Sequence, residues 1–136
     1  MLQLAKLKAL CLLFWLAGVS LPAVSHHSFG MFDMASFEPL EGKVIAFQWT
    51  NPHVILWVEK HALEGAEPER WGIELTSPGN LQRAGITRRS LNPGDEIKVI
   101  MSPLRSGNAG GAFRSVENFT TGMSYQYDYG EVGSLQ

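Results

Sequence analysis

The sequence predicts an all-β domain, a small barrel of five strands with one short helix between strands 3 and 4. Three observations carry this expectation. Segments rich in β-branched and aromatic residues recur at strand length, each bounded by turn residues. Their order is three strands, a short helix, then two strands, which is the order of an OB-fold-like barrel. The one cysteine, Cys11, lies in an apolar N-terminal run, so no disulfide is expected and burial of a core must hold the domain.

The elements follow in order. Residues 38–49 (EPLEGKVIAFQW) form the first strand, with Val44, Ala46 and Gln48 alternating with Ile45, Phe47 and Trp49. Thr50-Asn51-Pro52 is a turn signal. Residues 53–60 (HVILWVEK) are nearly all apolar at their centre, which predicts a strand covered on both faces. A polar loop over residues 62–69 leads to a third strand at 70–76. Ser77 then caps a short helix with Pro78 at its first position, and Gly85 supplies the stop. Leu91-Asn92-Pro93-Gly94-Asp95 makes a tight turn into a fourth strand at 96–102. A glycine-rich stretch, 103–111, reads as a flexible loop before a fifth strand at 112–121. The tail places Tyr125, Tyr127 and Tyr129 at strand spacing, as a further strand or a segment docked on the barrel.

The N-terminus has the build of an export signal. Lys6 and Lys8 precede an uncharged apolar run, 9–21, then Pro22 and the small residues of Ala23-Val24-Ser25. The run falls short of the ~20 residues a spanning helix needs. The expected organisation is a signal peptide at 1–25, an extended arm at 26–37, the barrel at 38–122 and a tail at 123–136. Cleavage after Ser25 places the protein in the periplasm with no membrane attachment. It also leaves 9 basic against 13 acidic residues, a net charge of −4. An acidic balance of this kind lacks the basic face that phosphate contacts need, and predicts no nucleic-acid partner.

The chemistry concentrates in Ser25-His26-His27-Ser28-Phe29-Gly30-Met31-Phe32-Asp33-Met34. Cleavage after Ser25 exposes the α-amine of His26, and that amine with the ring Nδ1 of the same residue can chelate a metal. One further imidazole gives three nitrogens, an arrangement suited to the tetragonal preference of Cu(II). His53 is the candidate third ligand. His27 is less well placed, and Met31 and Met34 are candidate thioether donors. His61 lies about 23 Å along the same strand, too far to join His53. A cut after Ala23 would instead start the chain Val24-Ser25-His26, which also binds Cu(II), so copper is expected from either cut.

The competing expectation is a metal-free interaction module. Arg83, Arg88, Arg89 and Arg105 would then hold a periplasmic protein partner or a small anionic ligand. Catalysis has little support. No Gly-x-Ser-x-Gly is present, the mature chain carries no thiol, and neither His53 nor His61 has a nucleophile at motif spacing.

Taken together, His26-His27-Ser28-Phe29, Phe32-Asp33, Thr50-Asn51-Pro52-His53, Trp71, Ser77-Pro78, Leu81, Arg83, Gly85, Pro93-Gly94-Asp95 and Pro103-Leu104 resemble a family of short exported bacterial proteins carrying a domain of unknown function. The resemblance implies a periplasmic location and a compact β-domain over the mature chain. It implies no activity.

Overall fold

The computed structural model describes residues 28–62 and 65–127. Its first strand, β1 (Glu38–Gln48), turns Leu40, Gly42 and Val44 inward and leaves Glu41 and Lys43 exposed. That is the period-2 alternation of a strand with one face on a core. β2 (Ile55–Lys60) and β3 (Glu69–Glu74) continue the antiparallel ladder, with Val44 opposite Val58 and Leu56 opposite Ile73. β2 is covered by a layer on one face only. Val54, Leu56 and Val58 are buried, whereas Ile55 and Trp57 are half-buried on the outside. Its outward face still reads apolar because the Trp57 ring lies against Gly72, where an added Cβ would meet ring carbon Cζ3 at 3.0 Å.

A six-residue helix, α1 (Pro78–Arg83), follows β3. Ser77 accepts the Asn80 N–H on its side chain, with the extended backbone of an N-cap, and Gly85 at φ 82° ends the helix. α1 buries Leu81 completely as one element of the core. β4 (Glu96–Pro103) pairs with β1, and β5 (Gly110–Asn118) pairs with β4. The ring closes where β5 meets β3 in parallel, at Gly72–Gly110, Ile73–Gly111 and Glu74–Ala112. The closed order is therefore β1-β2-β3-β5-β4, an OB-like five-stranded barrel with its helix between β3 and β4, as the sequence predicts. A short β6 (Ser124–Gln126) adds to the side of β5 and supplies the strand expected of the tail.

Two bulges shape the barrel. Ile45 is the extra residue of β1 opposite β2, and Arg114 is the extra residue of β5 opposite β4. Each reverses the side-chain parity of the residues after it. Arg114 is thereby turned onto the outer face, where it meets the N-terminal arm.

The turn into β4 is held by a buried polar pair. Asn118 donates to the Asp95 carboxylate at 2.7 Å and accepts the N–H groups of Thr120 and Thr121. Asp95 also accepts the N–H of Asn92, so Leu91-Asn92-Pro93-Gly94-Asp95 is a turn locked from inside. Nearby on the surface, Glu96 accepts from His61 at 2.8 Å and pairs with Lys43 at 3.4 Å. The hydrogen bond from His61, with Lys43 alongside, holds the Glu96 carboxyl below its ordinary value of 4.5. A carboxyl lowered by folding stabilises the fold above its unfolded value and loses that contribution as pH falls through the folded one. Stability should therefore decline below about pH 4.5, and Glu96→Gln should flatten that decline. Urea midpoints of both proteins between pH 3 and 7 check this.

Candidate functional site

The arm is a docked part of the barrel rather than a loose extension. Ser28–Met31 form a turn of 3-10 helix. Phe32 then makes an isolated bridge to Leu104 and is only 3% exposed. An aromatic ring of this kind in the core is worth a few kcal/mol of burial, which is enough to define the path of the arm. Polar contacts complete it. The Asp33 N–H donates to the Pro103 carbonyl at 2.8 Å and the Arg105 N–H to the Met31 carbonyl at 2.9 Å. Ser36 donates to the Asp33 carboxylate at 2.7 Å, and this bond with the Ala35 N–H and Arg105 holds Asp33 below its usual range.

Arg114 is the main fastening on the β5 side. Its Nε donates to Ser102 Oγ at 2.9 Å, and one terminal nitrogen donates to the Met34 carbonyl at 2.9 Å. Its guanidinium lies 4.9 Å from the centre of the Phe37 ring. Ser102, fully buried, donates in turn to the Ser36 carbonyl. The glycine-rich stretch expected to be a flexible loop is the tight end of the β4–β5 hairpin. The Leu104 N–H bonds the Gly110 carbonyl and the Gly107 N–H bonds the Leu104 carbonyl. Between this hairpin and the arm lies a cleft of about 480 Å³, lined by Asp33, Glu38, Trp71, Leu104, Arg105 and Asn108 among others. The buried Trp71 Nε1 has no hydrogen-bond partner among the described residues.

His53 stands at the exit of the β1–β2 turn. Val54 immediately after it is fully buried and tied to the end of β3, through its own N–H to Thr76 and the Leu75 N–H to its carbonyl. The Thr50 hydroxyl donates to the His53 carbonyl at 3.3 Å. The peptide unit that follows His53 is thus fixed through both its carbonyl and its N–H. Its Nδ1 lies 2.5 Å from Glu74 Oε1, and 43% of its side chain remains exposed. An ionised carboxylate only accepts, so Nδ1 is the nitrogen that donates, and in that neutral tautomer Nε2 keeps the lone pair. This is the outer-shell arrangement that orients a metal-binding imidazole.

The other candidates divide. Met31 is 49% exposed on the 3-10 turn. Met34 is half-buried, with its sulfur 3.8 Å from an Arg114 nitrogen. His26 and His27, with residues 1–25, lie outside the described residues. Among the described residues, no group of three or more His, Cys, Asp and Glu is gathered in a way that could hold a metal. Sequence reasoning missed Glu74 and Arg114. Pairing across β2 and β3 could have suggested Glu74 as a neighbour of the turn, but the register is set across the 62–69 loop and is not written in either strand. Of the arginines expected to act together, Arg105 pairs with Asp33 at 3.5 Å and Arg83 with Asn80 of its own helix.

The fold and site define a class: a single OB-like barrel with its N-terminal arm fastened across the β4–β5 hairpin. The chain belongs to a family of unknown function, DUF6152, whose model matches residues 13–114. This is in keeping with the resemblance in the sequence, although the match ends within β5. No curated protein matches the chain. Among solved structures it is similar to two crystal structures of the S. cerevisiae mitochondrial single-stranded DNA-binding protein Rim1. One has 7% identity and a TM-score of 0.49, the other, selenomethionine-labelled, 10% and 0.47. Each match covers 62% of this chain and 93% of that one. At such identity the likeness concerns fold alone.

The expectation that excluded a nucleic-acid partner is corrected. A protein partner or small anionic ligand was expected with nucleic acid excluded, whereas the titles of these two structures name single-stranded DNA-binding proteins. The physical fault is that net charge is a sum over the whole chain. It does not describe the face a barrel presents, so the net charge, −2 for the whole chain, excludes no class of partner.

Proposed function

We propose that this protein is an exported, periplasmic copper-binding module. Its Cu(II) ligands are the α-amine and imidazole of His26, at the N-terminus left by signal cleavage, and Nε2 of His53. The observation that carries the reading is the His53–Glu74 pair: the ring's Nδ1 is engaged by a carboxylate at 2.5 Å while 43% of the His53 side chain stays exposed. A surface histidine without a role gains little from being held this way, because an exposed pair contributes only about 0–1 kcal/mol. A ligand gains a fixed tautomer and a more basic donor atom. The docked arm adds support, since it anchors the chain only a few residues after His26.

Native mass spectrometry of the protein isolated from the periplasm tests this in one step. The expected spectrum shows a chain beginning at His26 and carrying one copper ion. A chain that begins at His26 and takes up no copper when the ion is supplied counts against the reading.

A further inference from the structure

The cleft between the arm and the β4–β5 hairpin holds none of the proposed copper ligands and is built as a site of its own. Its walls are fixed by main-chain bonds. The Asp33 N–H donates to the Pro103 carbonyl and the Arg105 N–H to the Met31 carbonyl, which ties the arm to the hairpin. The hairpin is held in turn against β3, where Gly110 pairs with Gly72 so closely that an added Cβ would meet the Gly72 carbonyl oxygen at 2.9 Å. The space between them, about 480 Å³, is of the size that takes a small molecule. Glu38, Arg105 and Asn108 line it with exposed side chains. Among the described residues, the side chains of Glu38 and Asn108 make no hydrogen bond, and that of Arg105 makes only its 3.5 Å contact with Asp33. Trp71 lines the same cleft, and its Nε1 is buried without a hydrogen-bond partner among the described residues. Buried donors in folded proteins are nearly always satisfied, so this N–H marks the wall as a place that calls for an acceptor.

These groups select a kind of ligand. Asp33 and Glu38 accept hydrogen bonds, Arg105 and Trp71 donate them, and Asn108 does both. Two carboxylates against one guanidinium leave the lining with a net charge of −1, which disfavours an anion, while Arg105 disfavours a cation. A neutral molecule with several hydroxyls suits such a lining, because each hydroxyl both donates and accepts, and bonds to ionised partners are the strong ones. The apolar C–H face of a sugar ring has Trp71 and Leu104 to lie against. We infer that this cleft binds a neutral saccharide. Glu38, Arg105 and Asn108 hold its hydroxyls, and Trp71 supplies an apolar wall and an N–H donor. The inference goes beyond the copper reading and uses none of its ligands.

The test titrates isotope-labelled protein with glucose, galactose and N-acetylglucosamine in turn, and with sodium sulfate as the anionic comparison, read by nitrogen–proton correlation spectra. Trp71→Phe identifies the Trp71 indole resonance. At least one sugar should move that resonance saturably, while the Trp57 indole, already donating to Gln48 at 3.1 Å, stays in place. Glu38→Ala and Asn108→Ala should each weaken the same sugar roughly threefold to tenfold, the effect of one lost hydrogen bond. Both side chains are exposed and take no part in fastening the arm, so both variants should stay folded, which the same spectra verify. No saturable movement of the Trp71 indole with any of these sugars overturns the inference. So does a sugar affinity that is equal in the parent and both variants, and so does binding of sulfate without binding of sugar. None of these outcomes bears on the copper reading, whose ligands are other residues.

Discussion

Replacing Gly42 by alanine should destabilise the barrel by about 3 kcal/mol or more. A Cβ at this position would overlap the Glu59 carbonyl oxygen and stand 2.9 Å from its carbon and 2.9 Å from Val58 Cγ1. Two of these atoms are backbone, so no rotamer change relieves the contact. β1 is paired on both sides here, Gly42 with Lys60 of β2 and with Ile97 of β4. Moving β1 away from Glu59 therefore compresses it against β4. For a domain of this size the melting temperature should fall by more than about 10 °C. Gly30→Ala is the control, since nothing lies within 4 Å of its added methyl group. It should stay within about 0.5 kcal/mol of the parent. Thermal and urea unfolding of both variants check the contrast.

His53→Ala should weaken Cu(II) binding by on the order of 100-fold, because losing even an outer-shell partner of a ligand costs roughly 10–100-fold and here the ligand itself is lost. Glu74→Ala should fall within that 10–100-fold range, since the imidazole remains but its tautomer and orientation are released. The order of the two effects is the informative part. A bystander histidine would give no change in either variant. A structural role alone would lower stability without changing affinity in the folded protein. Isothermal titration of Cu(II) into each folded variant, with urea midpoints alongside, separates these outcomes.

Much of the fold was legible because its punctuation is local. Ser77-Pro78 with Gly85 marks the helix, and Pro93-Gly94-Asp95 marks the entry to β4, so the order of elements could be read directly. What was not legible depends on contacts between segments distant in sequence. The β3–β5 closure rests on three residue pairs joining Gly72–Glu74 to Gly110–Ala112, and Gly110 and Gly111 read locally as loop. The bulge at Arg114 reverses a parity that simple alternation would carry straight on. For that reason Arg114 was not seen as the fastening of the arm, and the arm was read as extended. At the site, His53 could be picked out by residue type and position. Glu74 could not, because an acidic residue at a strand end is usually solvated, and only the register of β2 on β3 brings it to the ring. The exclusion of nucleic acid is corrected because it used a global sum to answer a question about one surface.

The central claim is that the free α-amine of His26 and its own ring begin the copper site. The direct measurement is Cu(II) titration of the mature chain against the same chain with that amine acetylated. Acetylation removes one nitrogen donor and leaves every side chain and the barrel as they are. Tight one-to-one binding is expected of the free-amine chain, with a loss of about 100-fold or more on acetylation. Equal affinity in the two chains would contradict the claim.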